Sequence, residues 1–126
     1  MYKNWIVLLI FLLLIGFSLW HTLYLDDSSG SLSDLASHLN QAAIDEDEQS
    51  AKDYSDQLLS AWLDIRPIWG AIIETQDIDP INTAVLAAYS NAQLGDMGEL
   101  RVQTDLLLDE LAFIEQMSDI TVENIF

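Results

Sequence analysis

Cysteine is absent from the 126 residues, and only 4 of them are basic against 21 that are acidic, a net charge of -17. The missing cysteine excludes disulfide frameworks, thiolate metal sites, cysteine nucleophiles and a lipid-modified cysteine anchor together. The shortage of bases excludes nucleic acid as a partner, because neutralising phosphates requires a surplus of Lys and Arg. Histidine is nearly absent as well. His21 and His38 have no zinc-ligand spacing, and a Ser-His-Asp site beyond residue 25 would have His38 alone to use. Sustained alternation of β-branched residues is also missing, which argues against a sheet. A chain of this length allows one small domain and one appendage. No enzyme activity and no cofactor are expected of it.

What is present is unevenly spread. Trp5 to Leu25 is a run of 21 residues without a formal charge. As a helix it is about 31 Å long, matching a hydrocarbon core of ~30 Å. Tyr2 and Trp5 flank one end and Trp20 and Tyr24 the other, as interfacial aromatic residues do. The run is too long for a signal-peptide core, and no small-x-small cleavage site follows it. Residues 1–25 therefore read as an uncleaved membrane anchor. Lys3 precedes the span and Asp26 and Asp27 follow it, so the N-terminus is expected in the cytoplasm and the remainder outside. All 21 acids lie after residue 25 against Lys52, Arg66 and Arg101, a net charge of -18 on that part. Such a surface repels anionic lipid and attracts cations, and it also serves as a solvated face for a small domain.

Residues 26–30 begin a polar stretch, DDSSGS, that reads as a linker, with 31–126 as an acidic extracytoplasmic domain. Leu32, Leu35, Leu39 and Ala42 place a first helix over about 31–44, and Ser31 with Asp34 resembles a capping box. The run Asp45 to Glu48 closes it and opens a second helix reaching about residue 75. There Tyr54, Leu58, Ala61, Ile65, Ile68 and Ile72 form a heptad seam, and Pro67 is expected to kink the helix. Asp79-Pro80 reads as the start of a third helix, whose alanines at 84, 87, 88 and 92 permit close contact. Gly95 ends it and Asp96 opens a fourth. Met97, Leu100, Thr104, Leu107, Leu111 and Ile114 continue at 3, 4, 3, 4, 3 to about residue 117. Asp119 to Phe126 alternates weakly and ends apolar, so it is expected to dock on the bundle. The fold class is all-α: a transmembrane helix followed by a small antiparallel bundle of about four helices.

Few constellations carry chemistry. Asp45, Asp47 and Gln49 echo a calcium loop, but Ser50 replaces its required Gly and Asp56 its closing Glu. Asp77 and Asp79 form a second acidic pair. Helix capping accounts for both; a divalent-cation sensor or buffer built on these turns is the alternative function. Trp62, Arg66 and Trp69 lie at i, i+4 and i+7 on one side of the second helix. Trp62 adjoins Ala61 and is expected in the core. Trp69, beside the seam, is expected partly exposed near Arg66, and the pair Arg66 and Trp69 is the candidate interaction surface.

The N-terminal span, Trp62 and Trp69 seven apart, the run Gln76-Asp77-Ile78-Asp79, the Gly95-Asp96 break and the final Asn124-Ile125-Phe126 together resemble domain-of-unknown-function family 4363, small single-span membrane proteins of Gram-positive bacteria. The likeness covers nearly the whole chain. It departs where Thr75 stands in place of a usual His, at Pro67 and Pro80, and in its low Lys content. The resemblance implies a membrane-anchored helical module and, from the small polytopic membrane protein encoded beside such chains, a membrane complex; it implies no activity. The expected function is an extracytoplasmic interaction module whose partners are the lipid bilayer and a membrane protein or a second copy. A cell-wall hydrolase or its regulator is a weaker reading, motivated by location alone.

Overall fold

The structure, a computed structural model, describes residues 2–125, and their side chains except at 2, 21, 22, 25, 26, 72 and 117–125. Four helices occupy it: α1 (Tyr2–Ile44), α2 (Glu48–Ile72), α3 (Thr75–Leu94) and α4 (Met97–Ile125). Connections of two or three residues force antiparallel neighbours, and α1 packs on α2, α2 on α3, α3 on α4 and α4 on α1. The result is an up-down-up-down bundle. α1 is 43 residues long, about 65 Å, and only its upper half belongs to that bundle.

The stretch read as a linker is helical. α1 runs without a break through Asp26 to Ser31, so Ser31 and Asp34 cap nothing. Two causes maintain the helix there. Each further residue adds one backbone bond to a helix already nucleated. Ser28 and Ser29 are also buried, and their small side chains continue the inward stripe of Leu32, Ala36, Leu39 and Ala43. Tyr24 packs against this core as well, so the last turn of the expected anchor already belongs to the bundle.

Both distal turns close by the same backbone pattern. After α1, Glu46 N–H donates to Ala43 O at 3.2 Å and Asp47 N–H to Ala42 O at 2.9 Å. After α3, Gly95 N–H donates to Ala92 O at 3.3 Å and Asp96 N–H to Asn91 O at 3.0 Å. Such a closure places one residue in the left-handed region. Gly95 does so at φ 78°, and Glu46 does so at φ 55° without the freedom of glycine. Asp47 then caps α2, accepting from the Ser50 N–H at 3.2 Å and the Ser50 hydroxyl at 2.8 Å. Asp96 opens α4, accepting from Glu99 N–H at 3.1 Å. The expected acidic openings of α2 and α4 are thus present.

α3 begins one turn before the expected Asp79-Pro80 start. Glu74 sits at its N-cap and Pro80 lies inside it. Burial of Ile78 and Ile81 on the same face holds this extra turn in place. The donor lost at Pro80 would have bonded the carbonyl of Gln76, an exposed residue whose carbonyl water can serve, and the burial of Ile78 and Ile81 offsets the proline's cost of ~3 kcal/mol. α4 follows its expected stripe, with Leu100, Thr104, Leu107, Leu111 and Ile114 buried. Its backbone stays helical to Ile125; the expected docking of its last side chains lies outside the described residues.

Candidate functional site

Among the described side chains, α2 fully buries only Leu58 of the seam expected of it. Its inward line is Ala51, Ser55, Leu58, Trp62, Trp69 and Ile73, turned by about 70° from the expected positions and sharing Leu58 with them. Tyr54, Ala61 and Ile65 flank this line half-buried, Ile68 is 38% exposed, and Ile72 lies outside the described side chains. The indoles decide the rotation. Burying one ring removes roughly 150–250 Å² from water, worth about 4–6 kcal/mol at 25 cal/mol per Å². No isoleucine at 65 or 68 offers as much.

Trp62 is in the core as expected, with its ring N–H on Asn82 Oδ1 at 3.0 Å. Trp69 is a correction: it is 0% exposed, not partly exposed. The two rings meet edge to face at 5.6 Å and 84°. Trp69 Nε1–H donates to Ser28 Oγ at 2.8 Å, and Ser28 Oγ–H donates to Tyr24 O at 2.6 Å. Trp69 therefore leaves the candidate interaction surface. Its place is the joint between the stem and the bundle.

A second bond crosses that joint, from Ser29 Oγ to Glu115 Oε1 at 2.9 Å. Higher up, Asn40 Nδ2 donates to Thr104 Oγ1 at 2.7 Å and to Asp105 Oδ1 at 3.1 Å. Two rows of polar contacts thus set the register of α1 against α4. The serines were hidden in an apparent linker. Their signal was spacing: small residues at 28 and 29 extend the 32, 36, 39, 43 stripe by one turn.

Arg66 is exposed, as expected, without Trp69 beside it on the surface. It lines a groove of about 450 Å³ between α2 and α3 with Leu63, Pro67, Gly70, Thr75, Ile78 and Asp79. A second groove, of about 610 Å³, lies between α3 and α4, with Asp79, Pro80 and Ala84 on one side and Gln103, Leu106 and Glu110 on the other. Each groove contains a helix-interior proline and the residue whose carbonyl that proline leaves without a donor, Leu63 for Pro67 and Gln76 for Pro80.

The acidic turns are occupied by helix chemistry. Ser50 takes both oxygens of Asp47, Gln41 donates to Asp45 at 3.0 Å, and Gln49 to Asp53 at 3.3 Å. Donation by the Ser50 hydroxyl, then by its N–H, holds Asp47 below the ordinary carboxylate range. Asp77 and Asp79 lie within α3 and do not cap it. Among the described residues, no three His, Cys, Asp or Glu gather as metal ligands would. His38 stacks on Tyr54 at 5.2 Å.

Lys3–Trp20 is the part of α1 that the bundle leaves bare, long and apolar enough to cross a membrane. A family model covers the rest. It matches residues 19–125, from the top of the bare stretch through all four helices of the bundle. The chain belongs to the family described as Domain of unknown function (DUF4363). No curated protein and no solved structure matches this DUF4363 chain.

Proposed function

We propose that this DUF4363 chain is a single-pass membrane protein that presents a small acidic helical interaction module outside the cytoplasm. It works by protein–protein contact, as an accessory subunit beside a polytopic membrane protein, and not by catalysis. The observation that carries this reading is the continuity of α1. The same helix is bare over Lys3–Trp20 and forms one wall of the bundle from Ser28 upward, with Trp69 and Glu115 bonded to it at the joint. A flexible tether would let the bundle drift; a helical stem holds it at one height and orientation above the bilayer. Fixed presentation favours contact with a neighbour in the same membrane, because little orientational freedom remains to be lost on binding. The orientation rests on Lys3 before the span and the acids after it.

The absence of cysteine supplies the test. Single substitutions Asn4→Cys and Leu94→Cys, probed on intact cells with a membrane-impermeant maleimide, are expected to label at position 94 and not at 4. The reverse pattern overturns the topology. Crosslinking in native membranes followed by extraction in mild detergent is expected to retain a membrane protein partner. A strictly monomeric chain with no crosslinked neighbour removes the interaction module.

A further inference from the structure

We infer that the groove between α3 and α4 docks a cationic amphipathic helix of a partner protein, an inference that rests on the interaction-module reading and specifies its surface. The groove has an apolar floor and wall in Ala84 and Leu106, the latter 50% exposed. Beside the groove, on the outer face of α4, Val102 and Phe113 are both about half exposed. On an ideal helix, positions 102, 106 and 113 fall within about 40° of one another and span about 16 Å, three turns. Leu106, at the groove's rim, joins this outer strip to the groove, an apolar track of the length a docked helix covers.

The charged groups that line the groove are all acidic. Asp79 on α3 and Glu110 on α4 face each other across it, and none of the lining residues is Lys or Arg. The side-chain amides of Gln76 and Gln103 each spend one of their two donors on a neighbouring acid, Glu74 at 2.8 Å and Glu99 at 3.0 Å. Pro80 removes the helical donor from the Gln76 carbonyl. A partner must therefore bring positive charge and N–H donors, which means Lys or Arg flanking an apolar stripe. A second copy of this chain brings the opposite: its own net charge beyond residue 25 is -18. A bilayer surface does not fit either, since the strip climbs the bundle to Val102, near the Gly95-Asp96 turn at the end away from the stem.

The test uses the full chain in phosphatidylcholine nanodiscs and two fluorescent 18-residue amphipathic probes, one of Lys and Leu and one of Glu and Leu, with empty nanodiscs as blank. The Lys/Leu peptide is expected to bind and the Glu/Leu peptide not to. Asp79→Asn with Glu110→Gln is expected to raise Kd at least ~10-fold, and Leu106→Ser about 5-fold, with helicity and melting unchanged. Asp45→Asn with Asp53→Asn removes the same charge elsewhere and is expected to change Kd less than about 2-fold. Equal losses in the two double variants, or equal binding of the two probes, overturn the groove assignment. A photo-crosslinking residue at position 106 in native membranes is expected to capture a peptide carrying Lys or Arg around an apolar helical stripe. Capture there of lipid, an acidic segment or a second copy overturns it. Capture of a partner from position 94, outside the groove, with none from 106 overturns the groove while leaving the interaction-module reading intact.

Discussion

The lower half of α1, Lys3–Trp20, and its upper half, from Asp27 to Ile44, belong to one helix yet follow opposite packing rules. Below, apolar side chains point in every direction and all are exposed from the protein, Trp5, Leu8, Leu13 and Phe17 alike. Above, one stripe is buried, Leu32, Ala36, Leu39 and Ala43, and the opposite face is polar. A bilayer, meeting a helix on every side, would select for mean hydropathy alone. The bundle selects for period, because its core lies on one side. The joint between the two regimes is held by small serines, whose hydroxyls meet Trp69 and Glu115.

The largest expected effect tests whether the upper half depends on tertiary packing in a way the lower half does not. Trp69→Ala should cost ~3–5 kcal/mol of bundle stability, while Leu12→Ala in the stem should leave the melting of the bundle within about 0.5 kcal/mol. Thermal melts in nanodiscs compare them, and similar losses would erase the distinction. Next comes the joint itself. Ser28→Ala strands the buried Trp69 N–H and should cost about 1–3 kcal/mol. Combined with Trp69→Phe, which removes that donor, the loss should be smaller than the sum of the two single losses. Additive losses would show that the bond does not couple stem and bundle.

Smaller effects belong to the distal turns, far from the joint. Gly95→Ala places a side chain in the left-handed region, 3.3 Å from Glu48 Oε1, and should cost about 1–2 kcal/mol. Glu46→Gly relieves the same conformation and should stabilise by up to about 1 kcal/mol. Chemical denaturation reads both, and matching signs would mean that the two turns are not equivalent. The smallest effect is pH-dependent. Because Ser50 lowers the Asp47 pKa in the folded chain, the cap contributes above the ordinary value of 3.8 and is lost as pH falls through the lower folded value. The difference in Tm between the native chain and Asp47→Ala should therefore be full at pH 6 and shrink below pH ~3.8; a difference constant to pH 2 would sink this account.

Much of this was legible beforehand because it is local. The caps at Asp47 and Asp96, the stop at Gly95 and the stripe from Leu100 to Ile114 depend on neighbours within one or two turns. Misreadings arose where tertiary packing overrode a local signal. DDSSGS has the composition of a loop, and Asp79-Pro80 has the chemistry of a helix start, yet both lie inside helices. Local propensities are worth about 1 kcal/mol or less, or ~3 kcal/mol at an interior proline, and the combined burial of Ile78, Ile81 and Trp69 exceeds that. The candidate surface failed at Trp69 for the same reason, and Arg66 remained where the sequence placed it.

The sequence by itself determined the all-helical class, the apolar stem, the acidic surface and the positions of the two distal turns, since period, composition and capping are written in adjacent residues. Only the tertiary structure decided which way α2 faces. Turning it by about 70° trades Ile68 for Trp69, and nothing within α2 ranks those choices. The ranking comes from Ser28 and Asn82, on other helices, which give the two indole N–H groups acceptors and so allow the largest side chains in the bundle to be fully buried.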